Sequence, residues 1–229
     1  MKYVIISGHL DSYDVATGGI DCGTGIGPMM EAARMIALSG AKPKRTILFV
    51  AFAGEEFGLL GAKSYVKTHA KELGKIANLF NRDGGPTPPV GISVPQAMYD
   101  DFVEVCKPVK EIRADYPFEV KVAKPFKRPT QSGGTDASVF AVEGVPTFGF
   151  NTQDIKGYNF SYGEIWHTER DLYTKNIPEY QEHAATVTAV VALGIANLSK
   201  QLSREGMTQK VAQIVSFFLL LVELCRFDV

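Results

Sequence analysis

The chain has 229 residues, with 24 Lys and Arg against 25 Asp and Glu and a formal net charge of −1. Hydrophobic residues at 45% and charged residues at 21% exclude disorder, and the even charge balance excludes nucleic acid as the main partner, because phosphate contacts need a surplus of Lys and Arg on one face. Three scattered cysteines, Cys22, Cys106 and Cys225, with no C-x-x-C spacing, exclude a disulfide framework.

Taken in order, the chain alternates between strand and helix patterns. Val4–Ser7 reads as a buried strand that begins almost at once. No basic region, apolar stretch and small-residue cleavage site precedes it, so a secretory signal is not expected in this chain. A domain opening directly on a core strand is expected to be incomplete at its N-terminus. Ile26–Leu38 has helical spacing, and Arg45–Phe52 is a continuous apolar run of the kind buried on both faces of a sheet. Gly61–His69 reads as a helix, Ile76–Asn81 as a short strand, and Pro95–Cys106 and Asp136–Glu143 as helices. Val145–Phe150 is another strand, and Gln181–Leu202 an amphipathic helix that closes the domain. Gly84–Pro95 and Pro117–Gly134 read as excursions from the sheet. This order predicts an α/β fold, a three-layer α/β/α sandwich around a mixed, mostly parallel sheet, spanning residues 1–205. An apolar tail follows at 206–229, with its densest run from Val211 to Val222. That run is too short for a typical transmembrane helix and reads first as a terminal helix packed on the body or on a second copy, as in a homodimer, with a tail foreign to the catalytic domain or a membrane-surface anchor left open.

Ligands of such sheets lie beyond the carboxyl ends of the strands. Three apolar runs are followed there by His9 and Asp11, by Glu55 and Glu56, and by Asp83, while the loop after Asp11 adds Asp21. Several carboxylates on one rim repel one another and need a cation to stay ionised together. A His, Asp and Glu donor set suits Zn²⁺. His167 lies late in the chain, in a polar loop beside Trp166.

His9-x-Asp11, Asp21, the Glu55-Glu56 pair, Asp83 and a late His167, in that order and strand context, resemble the co-catalytic zinc exopeptidases of peptidase family M28. The resemblance runs from about Val4 to Leu202. GHLDSYDVATGGIDCGTG, KPKRTILFVAFAGEEFGLLGA and Ser132–Asp136 look most like its carboxypeptidase Q branch. The resemblance implies two zinc ions bridged by Asp21, with His9 and Asp83 completing one and Glu56 and His167 the other. It implies Glu55 as general base and Asp11 as acceptor of the His9 ring N–H. The pattern departs from the family at Cys22, where Asp, Asn or Gly is common.

Glu55 and Glu56 are expected to point to opposite sides of an extended strand end and so to differ in role. Trp166, Tyr158, Phe160 and Tyr162 could line a side-chain pocket, and Arg82 and Arg170 are expected to form surface ion pairs. The implied activity is hydrolysis of the N-terminal bond of short peptides or dipeptides. Two other readings remain open at this point: a one-zinc acyltransferase like the glutaminyl cyclases, and a non-catalytic binding domain on the same scaffold. Relatives of this kind are mostly exported, which suggests a periplasmic or extracellular site for the full-length protein.

Overall fold

A computed structural model of the chain describes residues 2–207. The elements in order are β1 (Tyr3–His9), α1 (Gly23–Leu38), β2 (Thr46–Phe52), α2 (Leu60–Thr68), β3 (Ile76–Asn81), β4 (Pro89–Pro95), α3 (Tyr99–Ile112), β5 (Glu119–Ala123), α4 (Asp136–Val142), β6 (Thr147–Phe148), β7 (Phe150–Thr152) and α5 (Pro178–Asn197). Strands β2, β1, β3 and β6 form, in that order, an all-parallel sheet. A second sheet has the order β5, β4, β7, with β4 parallel to β5 and antiparallel to β7. Gly149 alone separates β6 from β7, so the chain steps directly from one sheet to the other.

Side chains alternate across β1 as the two-residue period requires. Val4 and Ile6 join Met29 of α1, Phe102 of α3 and Val187 and Val191 of α5 in one core. Ile5 points the other way, to Ala62 and Val66 of α2 and Val139 and Phe140 of α4. Helices on both faces of a mostly parallel sheet give the three-layer α/β/α sandwich expected from the sequence.

Several boundaries differ from the sequence reading for identifiable reasons. β4 lies within the Pro-rich stretch read as an excursion. Pro89 and Pro95 sit at the ends of the strand, where a missing N–H costs least, while Ile92 and Val94 are fully buried between them. β5 pairs along β4 and is mostly exposed, so its Glu-Val-Lys-Val alternation carries little apolar signal. α3 begins at Tyr99 and runs through Pro108 to Ile112, because Val105, Cys106 and Val109 stay buried on one face past the proline. α5 covers Pro178–Asn197, starting early with Pro178 in its first turn, a position that needs no N–H partner. It is less amphipathic than expected, since it lies between α1 and α3 under the sheet and buries residues around most of its circumference.

β2 forms the edge of the parallel sheet, and of its residues only Phe52 is fully buried. Its apolar side chains do pack on both faces, Ile47 and Phe49 on one and Leu48 and Val50 on the other. No helix among the described residues is long and apolar enough to cross a membrane. The run from Val211 to Val222 lies outside the described residues.

Candidate metal centre

The centre forms where β2, β1 and β3 end side by side. Because all three run parallel, with His9 opposite Phe52 and Ser7 opposite Asn81, the residues following each strand emerge on one rim. His9, the last residue of β1, is 2% exposed. Its Nε2 lies 3.0 Å from Asp21 Oδ1 and 3.5 Å from Asp83 Oδ1. On the other side of Asp21, His167 Nε2 lies 2.9 Å from Glu56 Oε2, and donor atoms of Asp21, Glu56 and His167 all fall within 4.8 Å of one another. The five residues expected to be ligands are therefore brought together around one buried carboxylate, that of Asp21.

Their electrostatics call for a cation. Burial opposes charge on His9, yet the carboxylates of Asp21 and Asp83 drive its pKa far above the ordinary imidazole range. Burial works against the Asp21 charge too, but His9 and the Tyr162 hydroxyl hold its carboxyl low. Glu56 is pushed up by burial and by the nearby Asp21 charge. Its Oε1 is buried without a hydrogen-bond partner among the described residues. An orphaned carboxylate oxygen within a His and carboxylate donor set fits zinc.

Glu55 and Glu56 lie in a turn after β2, entered through Gly54 at φ +70°, rather than on an extended strand end. They do not point to opposite sides: donor atoms of both fall within 4.8 Å of a His9 ring nitrogen. What separates them is His167, which contacts Glu56. Burial, followed by the Asp83 charge, pushes Glu55 up to about 7. The turn is held by Asp11, whose two carboxylate oxygens accept the N–H groups of Glu55 and Glu56 at 3.1 Å each. The His9 ring goes instead to the Asp11 carbonyl, 2.9 Å from Nδ1, with the carboxylate at 3.8 Å. Asp11 thus orients both strand ends, through its main chain at His9 and its side chain at the Glu pair.

Two supporting residues, Asp171 and Tyr13, were not singled out by sequence reasoning, whereas Asp136 stands in the segment that offered a carboxylate near the substrate. Asp171, 1% exposed, accepts the N–H groups of Ile20 at 2.6 Å and Asp21 at 3.2 Å and so anchors the loop that carries Asp21. Asp136, also 1% exposed, has neither carboxylate oxygen paired among the described residues, and burial pushes it up to about 7. Tyr13 stacks on the His167 ring with centroids 4.2 Å apart and planes 5° from parallel. The expected aromatic pocket divides. Trp166 faces the centre, whereas Phe160 packs on the Tyr116, Ile177 and Tyr180 cluster and Tyr158 stands edge-on to Tyr180. Arg82 makes no ion pair among the described residues; its guanidinium donates to the carbonyls of Thr24 at 2.7 Å and Thr87 at 3.1 Å.

A cleft of about 370 Å³ opens over the centre, walled by Asp21, Glu55, Glu56, Asp83, Trp166 and His167 on one side and Ser132–Gly134 on the other. Larger hollows, of about 770 Å³ beside Gly18 and about 550 Å³ between α3 and α5, have no His on their walls.

Known proteins resemble this chain in sequence and fold. Residues 1–191 match Peptidase family M28. Mouse carboxypeptidase Q is 31% identical over 203 residues, covering 89% of this chain and 40% of its own length. A crystal structure of a peptidase M28 precursor from Shewanella amazonensis superposes with a TM-score of 0.73 at 32% identity, over 88% of this chain and 43% of that one. A zinc aminopeptidase from Bacillus subtilis shares the fold, with a TM-score of 0.65 at 22% identity over 90% of this chain and 48% of that one. This chain therefore spans about two fifths of the length of the curated relatives it matches. With its family pattern covering most of the sequence and its carboxylate and imidazole rim in place, the chain belongs to peptidase family M28.

Proposed function

We propose that this chain is a zinc-dependent exopeptidase that removes the N-terminal residue of short peptides or splits dipeptides, working with two zinc ions. In this reading His9 and Asp83 would hold one ion and Glu56 and His167 the other, with Asp21 within reach of both positions. The observation that carries it is one buried carboxylate, that of Asp21, within reach of both imidazoles, with Asp83 3.5 Å from His9 and Glu56 2.9 Å from His167. Bound zinc supplies Lewis acidity, which makes a water nucleophilic near neutral pH and polarises the scissile carbonyl. Glu55, which has no His167 contact, takes a proton from the attacking water and delivers it to the leaving amine nitrogen. Asp11 keeps Glu55 in place through the N–H bond to its main chain. The cleft of about 370 Å³ suits a short substrate, with Trp166 against its side chain.

Zinc-loaded protein incubated with dipeptides and with N-acetylated controls tests this by mass spectrometry of the products. Free amino acids are expected from the open peptides and none from the capped ones. Glu55→Gln should lower turnover by about 10²-fold or more while leaving zinc content unchanged. Internal cleavage of capped peptides would contradict the exopeptidase assignment. Loss of ammonia from N-terminal Gln peptides without hydrolysis would favour an acyl-transferring enzyme instead.

A further inference from the structure

Cys22 follows Asp21 and is 1% exposed, and its side chain occupies a slot built from two glycines and a carbonyl. The thiol donates to the carbonyl of Arg82 at 3.0 Å. A Cβ on Gly25 would stand 2.4 Å from Cys22 Sγ, and one on Gly8 would stand 3.2 Å away, so the absence of side chains at these positions makes room for the sulfur. This slot sets Sγ beside the donors at the end of β1. Cys22 Sγ, a ring nitrogen of His9 and a carboxylate oxygen of Asp83 all lie within 4.8 Å of one another, close enough for one cation to meet all three. Cys106, the other described cysteine, is buried on α3 in the core shared with β4 and α5.

Donor type decides which ion such a cluster prefers. Imidazole and carboxylate accept zinc and harder ions, whereas a sulfur donor shifts preference toward soft ions. We propose that His9, Asp83 and Cys22 form a soft-cation site, taking ions of the cadmium class through sulfur at the position that holds zinc in the exopeptidase reading. The proposal rests on that reading for the identity of the position. On binding, the S–H bond breaks, its electron pair forms the metal–sulfur bond, and the proton leaves to solvent while the Arg82 carbonyl gives up its donor. A soft ion seated there displaces zinc from this half of the centre.

The test uses the full chain with Cys106→Ser and Cys225→Ser, which leaves Cys22 as the sole thiol. Cadmium chloride is titrated in while the ultraviolet sulfur-to-cadmium charge-transfer band is recorded, and zinc content is measured in parallel by mass spectrometry. A band that saturates at a single equivalent is expected, as is its loss on adding Cys22→Ser, with zinc binding retained. Cys22→Ala provides a second variant should the serine disturb folding, and the band in the parent protein is itself decisive. A folded protein that binds zinc but shows no band, or a band that survives loss of Cys22, would overturn the proposal alone. Retention of neither metal by the folded protein would remove the underlying metal-centre reading with it.

Discussion

His167 is the most exposed of the five candidate ligands. It comes from a loop, adopts a left-handed backbone at φ +58°, and its side chain is 32% exposed. Such a backbone is uncommon outside glycine and is kept where surrounding contacts enforce it. Here the ring is gripped between Tyr13, stacked at 4.2 Å, and Trp166, tilted at 4.1 Å. Tyr13→Ala should release one side of this grip and weaken zinc binding at the His167 position by about 10-fold or more, as the loss of an orienting partner does at other metal sites. Tyr13→Phe keeps the stack and should keep the affinity, and competition with a zinc chelator measures both. Equal affinities for wild type and Tyr13→Ala would show that Trp166 orients the ring unaided. His9, Asp21, Glu56 and Asp83 were legible in the sequence because each follows a strand or its loop within a short span. The Tyr13 stack and the Asp171 anchor were not, because they join segments about 150 residues apart that only the fold brings together.

The sheet is where local pattern and tertiary setting diverge most. Apolar runs identified β1, β2 and β3, whereas β4 was hidden by its flanking prolines and β5 by its exposure. Gly91 of β4 has a tertiary reason, since a Cβ there would stand 2.2 Å from the Glu119 carbonyl of β5. α5 packs beneath β4 through His183, whose Nε2 donates to the Pro89 carbonyl at 2.8 Å while its ring stacks on Tyr116 at 3.9 Å. Burial holds His183 down at about 4, against 6.5 in an exposed imidazole. Between those values the unfolded chain binds more protons than the folded one. The stabilisation is thus complete above pH 6.5 and declines as pH falls toward 4, by up to about 3 kcal/mol. Melting temperature should fall more steeply over this interval for wild type than for His183→Phe, which keeps the stack and cannot be protonated. Parallel slopes for the two proteins would contradict this account.

At the scale of the molecule, one feature of chain direction sets up the chemistry: β2, β1 and β3 run parallel, so their ends deliver donors to a single rim. The alternation of strands and helices made this legible before any contact was known. The difference between the surroundings of Glu55 and Glu56 was less legible, because the turn after β2 and the late arrival of His167 set it. Asp21 stands at the middle of the centre, anchored by Asp171 through its main chain and flanked by the two imidazoles. A shared carboxylate of this kind is the core of the proposed two-ion mechanism. Zinc content per chain, measured by elemental analysis of folded, zinc-loaded and desalted protein, tests that claim most directly. The arrangement predicts two zinc ions per chain, falling toward one in His167→Ala; a single ion in the wild-type protein would contradict it.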